Sequence, residues 1–149
     1  MRCPCRSGYF YTRQYHYCIR YAGYSFTKES SFNACYSRNE TLIKVNSGEE
    51  NLFVSSLIYS FVNKTLNIAS DIKSHQLIID GEKASDGHWR SLFGTHEILN
   101  YTKFEDGYTA STGRRIYMSP TTFLDLKEYI WKAGSLNTYK KSVFCQYQP

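Results

Sequence analysis

No stretch of this chain approaches the run of about 18 apolar residues that a membrane-spanning helix needs, which excludes a helical span. Proline is scarce: the only three are Pro4, Pro120 and Pro149, so the interior of the sequence is nearly free of the residue that makes cis peptides cheap. Acidic side chains run out entirely from residue 129 to 149. The four histidines, His16, His75, His88 and His96, form no His-x-x-His or Glu-x-x-His pair, and no nucleophile elbow is present. The usual metalloenzyme and hydrolase patterns are therefore missing, and no catalytic residue is assigned. Nor is there a basic stripe. The net charge of +5 is scattered, with Arg114-Arg115 and Lys140-Lys141 the pairs, whereas nucleic-acid binding asks for denser positive charge.

What is abundant is tyrosine. Aromatic residues make up 17% of the chain, carried by 14 Tyr and 9 Phe against 2 Trp, a composition that suits β structure and recognition surfaces alike. Hydrophobic content of 42% and charged content of 21% are ordinary globular values, and 149 residues make one domain, residues 1–149. Three Asn-X-Thr glycosylation acceptors, at Asn39, Asn63 and Asn100, accompany cysteines at 3, 5, 18, 35 and 145. Acceptor tripeptides matter only to a chain that crosses the secretory pathway, and crosslinks persist there. Together they indicate a secreted, extracellular protein. Met1-Arg2-Cys3-Pro4 carries no apolar signal region, so a secreted form would be the mature chain.

The pattern along the chain predicts an α+β domain. Residues 1–25, with Tyr9-Phe10-Tyr11 and Tyr15-His16-Tyr17, read as a β-hairpin. Thr27 opens a helix that runs to about Arg38, and Leu42 to Val45 is a short strand. Ser47-Gly48-Glu49-Glu50 is a capping box, followed by Leu52, Phe53, Leu57, Ile58 and Phe61 at helical spacing, which predicts a helix over 48–61. Leu77 to Ile79, Trp89 to Phe93, Arg115 to Met118, Tyr129 to Trp131 and Val143 to Cys145 are β-type runs, with a long polar loop over 99–114.

These elements, in this order, resemble the C-type lectin-like domain of invertebrate secreted proteins. Cys5-Arg6-Ser7-Gly8-Tyr9, closed by Cys18, is like the family's opening. Cys35 and the stretch Leu42 to Phe53 are similar to the segment joining the family's two helices. Ile78-Ile79-Asp80-Gly81 looks like its Trp-Ile-Gly-Gly segment with the Trp lost. Trp89, Ile98 to Phe104 and Phe144-Cys145-Gln146 complete the likeness, which covers residues 3–146. The resemblance implies two helices with a small antiparallel sheet, a second sheet near the ligand loops, and a long loop region. It also implies disulfides Cys35–Cys145 and Cys5–Cys18. Cys3 is left over, free to join two chains into a disulfide-linked dimer or to displace Cys5 as the partner of Cys18.

Sugar binding in that family works through calcium, held by a Glu-Pro-Asn or Gln-Pro-Asp loop and a Trp-Asn-Asp segment that converge oxygen ligands on the ion. Here the loop reads Glu105-Asp106-Gly107-Tyr108 without proline, and the second segment reads Trp131-Lys132-Ala133. A lysine ammonium at the place of a calcium carboxylate is repulsive as well as empty. The cysteine pair that would pin the loop is missing too. Glu105 and Asp106 are left as either a weak cation site or solvated carboxylates. We therefore expect no metal, no cofactor and no catalysis. The expected partner is an extracellular protein, bound at residues 100–118 by Tyr101, Phe104, Tyr108, Arg114, Arg115 and Tyr117 with Trp131 and Lys132 beside them. The alternative is a calcium-independent lectin for acidic or sulfated glycans, with Lys140 and Lys141 adding charge, and a structural coat protein is a third option.

Overall fold

A computed structural model describes residues 4–61, 76–104, 115–122, 125–134 and 141–149. Eight strands and two helices follow one another as β1 (Phe10–Thr12), β2 (Tyr17–Phe26), α1 (Lys28–Tyr36), β3 (Thr41–Leu42), α2 (Gly48–Phe61), β4 (Leu77–Lys83), β5 (Trp89–Arg90), β6 (Arg115–Thr122), β7 (Asp125–Gly134) and β8 (Lys141–Tyr147). The expected hairpin and both helices are present and each expected β run contains a strand, although the run Leu42 to Val45 is a strand only as Thr41–Leu42 and the run Trp89 to Phe93 only as Trp89–Arg90; the class is α+β. The two expected sheets are two antiparallel blocks, β1-β2-β8 with β3, and β4-β6-β7 with β5. Parallel pairing of Leu77 with Ser142 and Ile78 with Val143 joins them into one continuous ladder.

The two central strands are buried on both faces, and alternation decides which residue goes where. Leu77 and Ile79 of β4 and Phe144 of β8 enter a core with Val54 and Ile58 of α2 and Ile116, Met118, Tyr129 and Trp131 of β6 and β7. Ile78, Val143 and Cys145 face the other way, into a smaller core with Cys35, Leu42 and Phe93 beneath α1. Period-two sequence thus makes one sheet serve two cores.

Helix α1 starts as its sequence directs, and α2 forms one half of its expected capping box. The Thr27 backbone N–H donates to Ser30 Oγ at 2.9 Å at the head of α1. At α2, Ser47 Oγ accepts from the Glu50 N–H at 3.1 Å, but the Glu50 carboxylate bonds Asn46 and not Ser47. Two further details depart from expectation. Helix α1 ends at Tyr36, short of Arg38, because the Arg38 and Asn39 N–H groups turn to the Cys35 and Tyr36 carbonyls and Asn39 adopts a left-handed φ of 59°. On α2, Leu52 lies exposed; the inward face is Asn51, Val54, Ser55 and Ile58, so two of its positions are polar.

The disulfides Cys5–Cys18 and Cys35–Cys145 are both formed, and Cys5 is thereby the partner of Cys18. Cys3 lies outside the described residues. Around the second bridge sits a buried charge cluster. Glu40, its side chain wholly enclosed, accepts from Arg20 Nε at 3.0 Å and from the Tyr9 hydroxyl, and pairs with Arg6 at 3.2 Å. Arg20 also donates to the Ala34 carbonyl at 2.9 Å, so hairpin, helix and β3 meet at one carboxylate.

Candidate functional site

The face proposed from the sequence is built on β6 and β7, whose antiparallel register sets Tyr117 against Lys132 and Met118 against Trp131. Directly opposed residues share a face, and their neighbours point the other way. The sheet therefore divides the predicted residues into two groups that cannot act together.

One group is structural. Trp131 is fully buried, and its indole N–H donates to Asn51 Oδ1 of α2 at 2.9 Å. Tyr101 and Phe104 meet its ring edge-on, with centroids 5.7 and 5.8 Å away, and Trp89 packs on Phe104 at 5.0 Å. The Trp131 backbone N–H donates to the Lys103 carbonyl at 2.8 Å, drawing the loop against β7. The expectation that Trp131 lies beside an exposed ligand face is thus corrected: alternation sends it inward, where it anchors the loop. Asn51 and Ser55 escaped the sequence reading. Asn51 Nδ2 donates to the Tyr129 carbonyl at 2.8 Å, and Ser55 Oγ accepts from the Tyr129 N–H at 3.0 Å, so α2 and β7 are joined by buried polar groups. A polar residue at i and i+4 within an apolar helix face was the available signal.

The other group faces α1. Arg115 is only 2% exposed, and burial lowers its guanidinium below the usual arginine value while Glu82 and Asp80 act in the opposite direction. As an outward-reaching contact it is corrected as well. Lys141 is buried too, its ammonium donating to Gln76 Oε1 and lying 4.1 Å from the centre of the Tyr117 ring. Tyr117 and Lys132 are half-buried. Tyr108, Arg114, Lys140, Glu105 and Asp106 lie outside the described residues, as does Asn63. Asn39 and Asn100 are exposed.

Among the described residues no group of three or more His, Cys, Asp or Glu side chains gathers at metal-binding distance. Lys132 and Ala133 close β7 just after the core Trp131, where Ala133 is 8% exposed and backs onto Ile116 in register. The chemistry this end of the sheet can offer is a cation beside an aromatic ring, suited to non-covalent contact. No helix among the described residues is long and apolar enough to cross a membrane.

No family model and no curated protein matches the chain. Solved structures do match in shape. The chain is similar to the cow C-type carbohydrate-recognition domain of CD23, at 12% identity and a TM-score of 0.70, with 99% of this chain and 98% of that one covered. Human lithostathine matches at 20% identity and 0.71, covering 97% and 91%. The Ca2+-independent C-type lectin SPL-2 from Saxidomus purpuratus matches at 14% identity and 0.71, covering 97% and 94%. This chain has the C-type lectin-like fold.

Proposed function

We propose that this fold serves here as a secreted, non-catalytic recognition domain that binds an extracellular protein without calcium. The observation that carries the reading is Lys132: the strand end that would supply a carboxylate to calcium carries an ammonium instead, opposite Tyr117. A cation beside an aromatic ring is the composition of a protein-contact hot spot. Tyr108 and Arg114, from the segment 105–114 outside the described residues, are assigned to the same contact. Two disulfides and the exposed acceptors Asn39 and Asn100 support passage through an oxidising secretory route, where both acceptors would carry glycans. The leftover Cys3 is assigned to a bond with a second chain.

The test is a pull-down from extracellular fluid with the purified chain, run in millimolar calcium and in chelator. Binding unchanged by chelator and reduced more than about tenfold by Tyr108→Ala supports the reading. Capture that needs calcium overturns it. A second reading, a calcium-independent glycan lectin, is favoured by the likeness to SPL-2 and to the SPL-1 structure solved as a GlcNAc complex. A glycan array separates the two. Sulfated-glycan capture that falls steeply with salt selects the second reading.

A further inference from the structure

Between α1, β4 and the loop that follows β5 lies a cleft of about 380 Å³, separate from the 100–118 rim except at Arg115. Its walls are Glu29 and Phe32 of α1, Glu82 of β4, Arg115 of β6, and Leu92 and His96 of the loop. The volume falls at the lower end of the range typical of ligand pockets.

A backbone irregularity creates its charge arrangement. Gly81 has φ +149°, and a Cβ there would stand 2.4 Å from Ile116 Cδ1 and 3.2 Å from Leu99 Cδ1, so a glycine is required. The β4–β6 register jumps at that point, from Ile79 against Ile116 to Glu82 against Arg115. Glu82 is thereby set beside the buried guanidinium at the cleft floor. Asp80 is turned underneath, accepting from Ser91 Oγ at 2.6 Å and the Leu92 N–H at 2.8 Å, and it pairs with Lys44 at 4.0 Å. Arg115 thus faces two carboxylates. Glu29, exposed at the first turn of α1, makes no ion pair with any described residue. In a chain of net charge +5, this cleft holds two carboxylates against one guanidinium.

The apolar part of the wall narrows the choice of ligand. Phe32 lies in a stack of three rings, with Tyr36 and Phe93 each 5.1 Å away and nearly parallel. Both its faces are occupied, so it offers the cleft a ring edge and no platform for a sugar ring. His96 Nδ1 is engaged with the Ser91 carbonyl at 2.9 Å. What the cleft presents is an apolar wall of Phe32 and Leu92 leading to Glu29 and Glu82. A ligand that matches has an aliphatic stem and a cationic head.

We propose that the cleft under α1 is a second binding site, which takes a lysine or arginine side chain from a loop of a protein partner. The stem lies along Phe32 and Leu92, and the head reaches the carboxylates of Glu29 and Glu82.

The test uses the folded chain and the capped tripeptide Gly-Lys-Gly, with Gly-norleucine-Gly, Gly-Glu-Gly and N-acetylglucosamine as comparisons. Binding is followed by amide and side-chain NMR shifts at Phe32 and Leu92. Saturable shifts with the lysine peptide are expected, about tenfold weaker with norleucine and weaker again at high salt. Glu29→Gln should weaken the lysine peptide, and Asn33→Lys, on the exposed α1 side of the same cleft, should abolish its binding. Both variants should melt like the parent, because neither residue is buried. Equal binding of lysine and norleucine peptides, a preference for the glutamate peptide or the sugar, or no saturable shift at all would overturn the proposal. So would lysine binding unaffected by Asn33→Lys.

Discussion

The two ends of the sheet are held together by different means. At the end where the chain opens and closes, two disulfides and the Glu40 cluster tie β1, β2, α1, β3 and β8 with covalent and ionic links. At the loop end, around β4, β6 and β7, no described cysteine is present, and the loop is held by aromatic rings gathered on Trp131. Rings and a buried amide do at one end what crosslinks do at the other. A crosslink acts largely by restricting the unfolded chain, whereas ring packing acts in the folded state, so redox conditions and core mutations should separate the two ends.

The largest expected effect is loss of Cys35–Cys145. Replacing both by Ala opens a loop of 110 residues, and the chain-entropy account puts the cost at about 4–5 kcal/mol. The melting point should fall sharply or secretion should fail; a variant that melts like the parent would remove the bridge from any role in closing the domain. Next comes Trp131→Ala at the other end, expected to cost about 3–5 kcal/mol whether reductant is present or absent. Trp131→Phe keeps the ring packing but leaves Asn51 Oδ1 without its donor, for about 1–3 kcal/mol. Denaturant midpoints measure both, and equal stability of the Phe variant and the parent would show that the Asn51 bond contributes nothing. Cys5→Ala with Cys18→Ala follows, at up to about 3 kcal/mol for its short loop of 13 residues.

The smallest effect is one of pH. Burial raises the Asp80 carboxyl above its ordinary value, against the hydrogen bonds from Ser91 and Leu92. The folded state therefore keeps that proton at pH values where the unfolded chain has lost it. Stability from this group is greatest below the ordinary carboxylate value of about 4 and falls as pH rises towards the raised one. Glu50 has the same sign, raised by burial and opposed by Asn46. Asp80→Asn should flatten the decline in melting temperature as pH rises above about 4, leaving the slope that Glu50 contributes. A parallel decline in parent and variant would assign the effect elsewhere.

Much of this division is legible in the sequence. The apolar runs marked the strands, Ser47 marked the head of α2, and the resemblance paired the four cysteines that are bonded. The ligand face was legible only in part, for two physical reasons. Strand alternation had to be counted outward from the core: Trp131 and Tyr129 share one face of β7, and tyrosine or tryptophan at a strand end looks the same in sequence whether it points in or out. The position of Arg115 depends on the register jump at Gly81, a long-range event between β4 and β6 that no local pattern announces. Asn51 and Ser55 were hidden because their partners are backbone and indole groups of β7, more than 70 residues away.

The enclosure of Glu40 bears on the order of events in the cell. Glu40 is the middle residue of the acceptor Asn39-Glu40-Thr41, and a transferase must grip that tripeptide as a free, extended segment. In the folded chain the Glu40 N–H is bonded to the Cys35 carbonyl, its carboxylate is locked between Arg6 and Arg20, and Thr41 is paired with Gln146. In a secreted chain, sugar addition at Asn39 is a race that ends when Cys35 finds Cys145. At Asn100-Tyr101-Thr102 the outer two residues stay exposed after folding and the middle one is held by the packing of its ring on Trp131, with no crosslink, so the acceptor there loses less on folding. Delaying disulfide formation should raise occupancy at Asn39 more than at Asn100, a difference that mass spectrometry of the two glycopeptides would read directly.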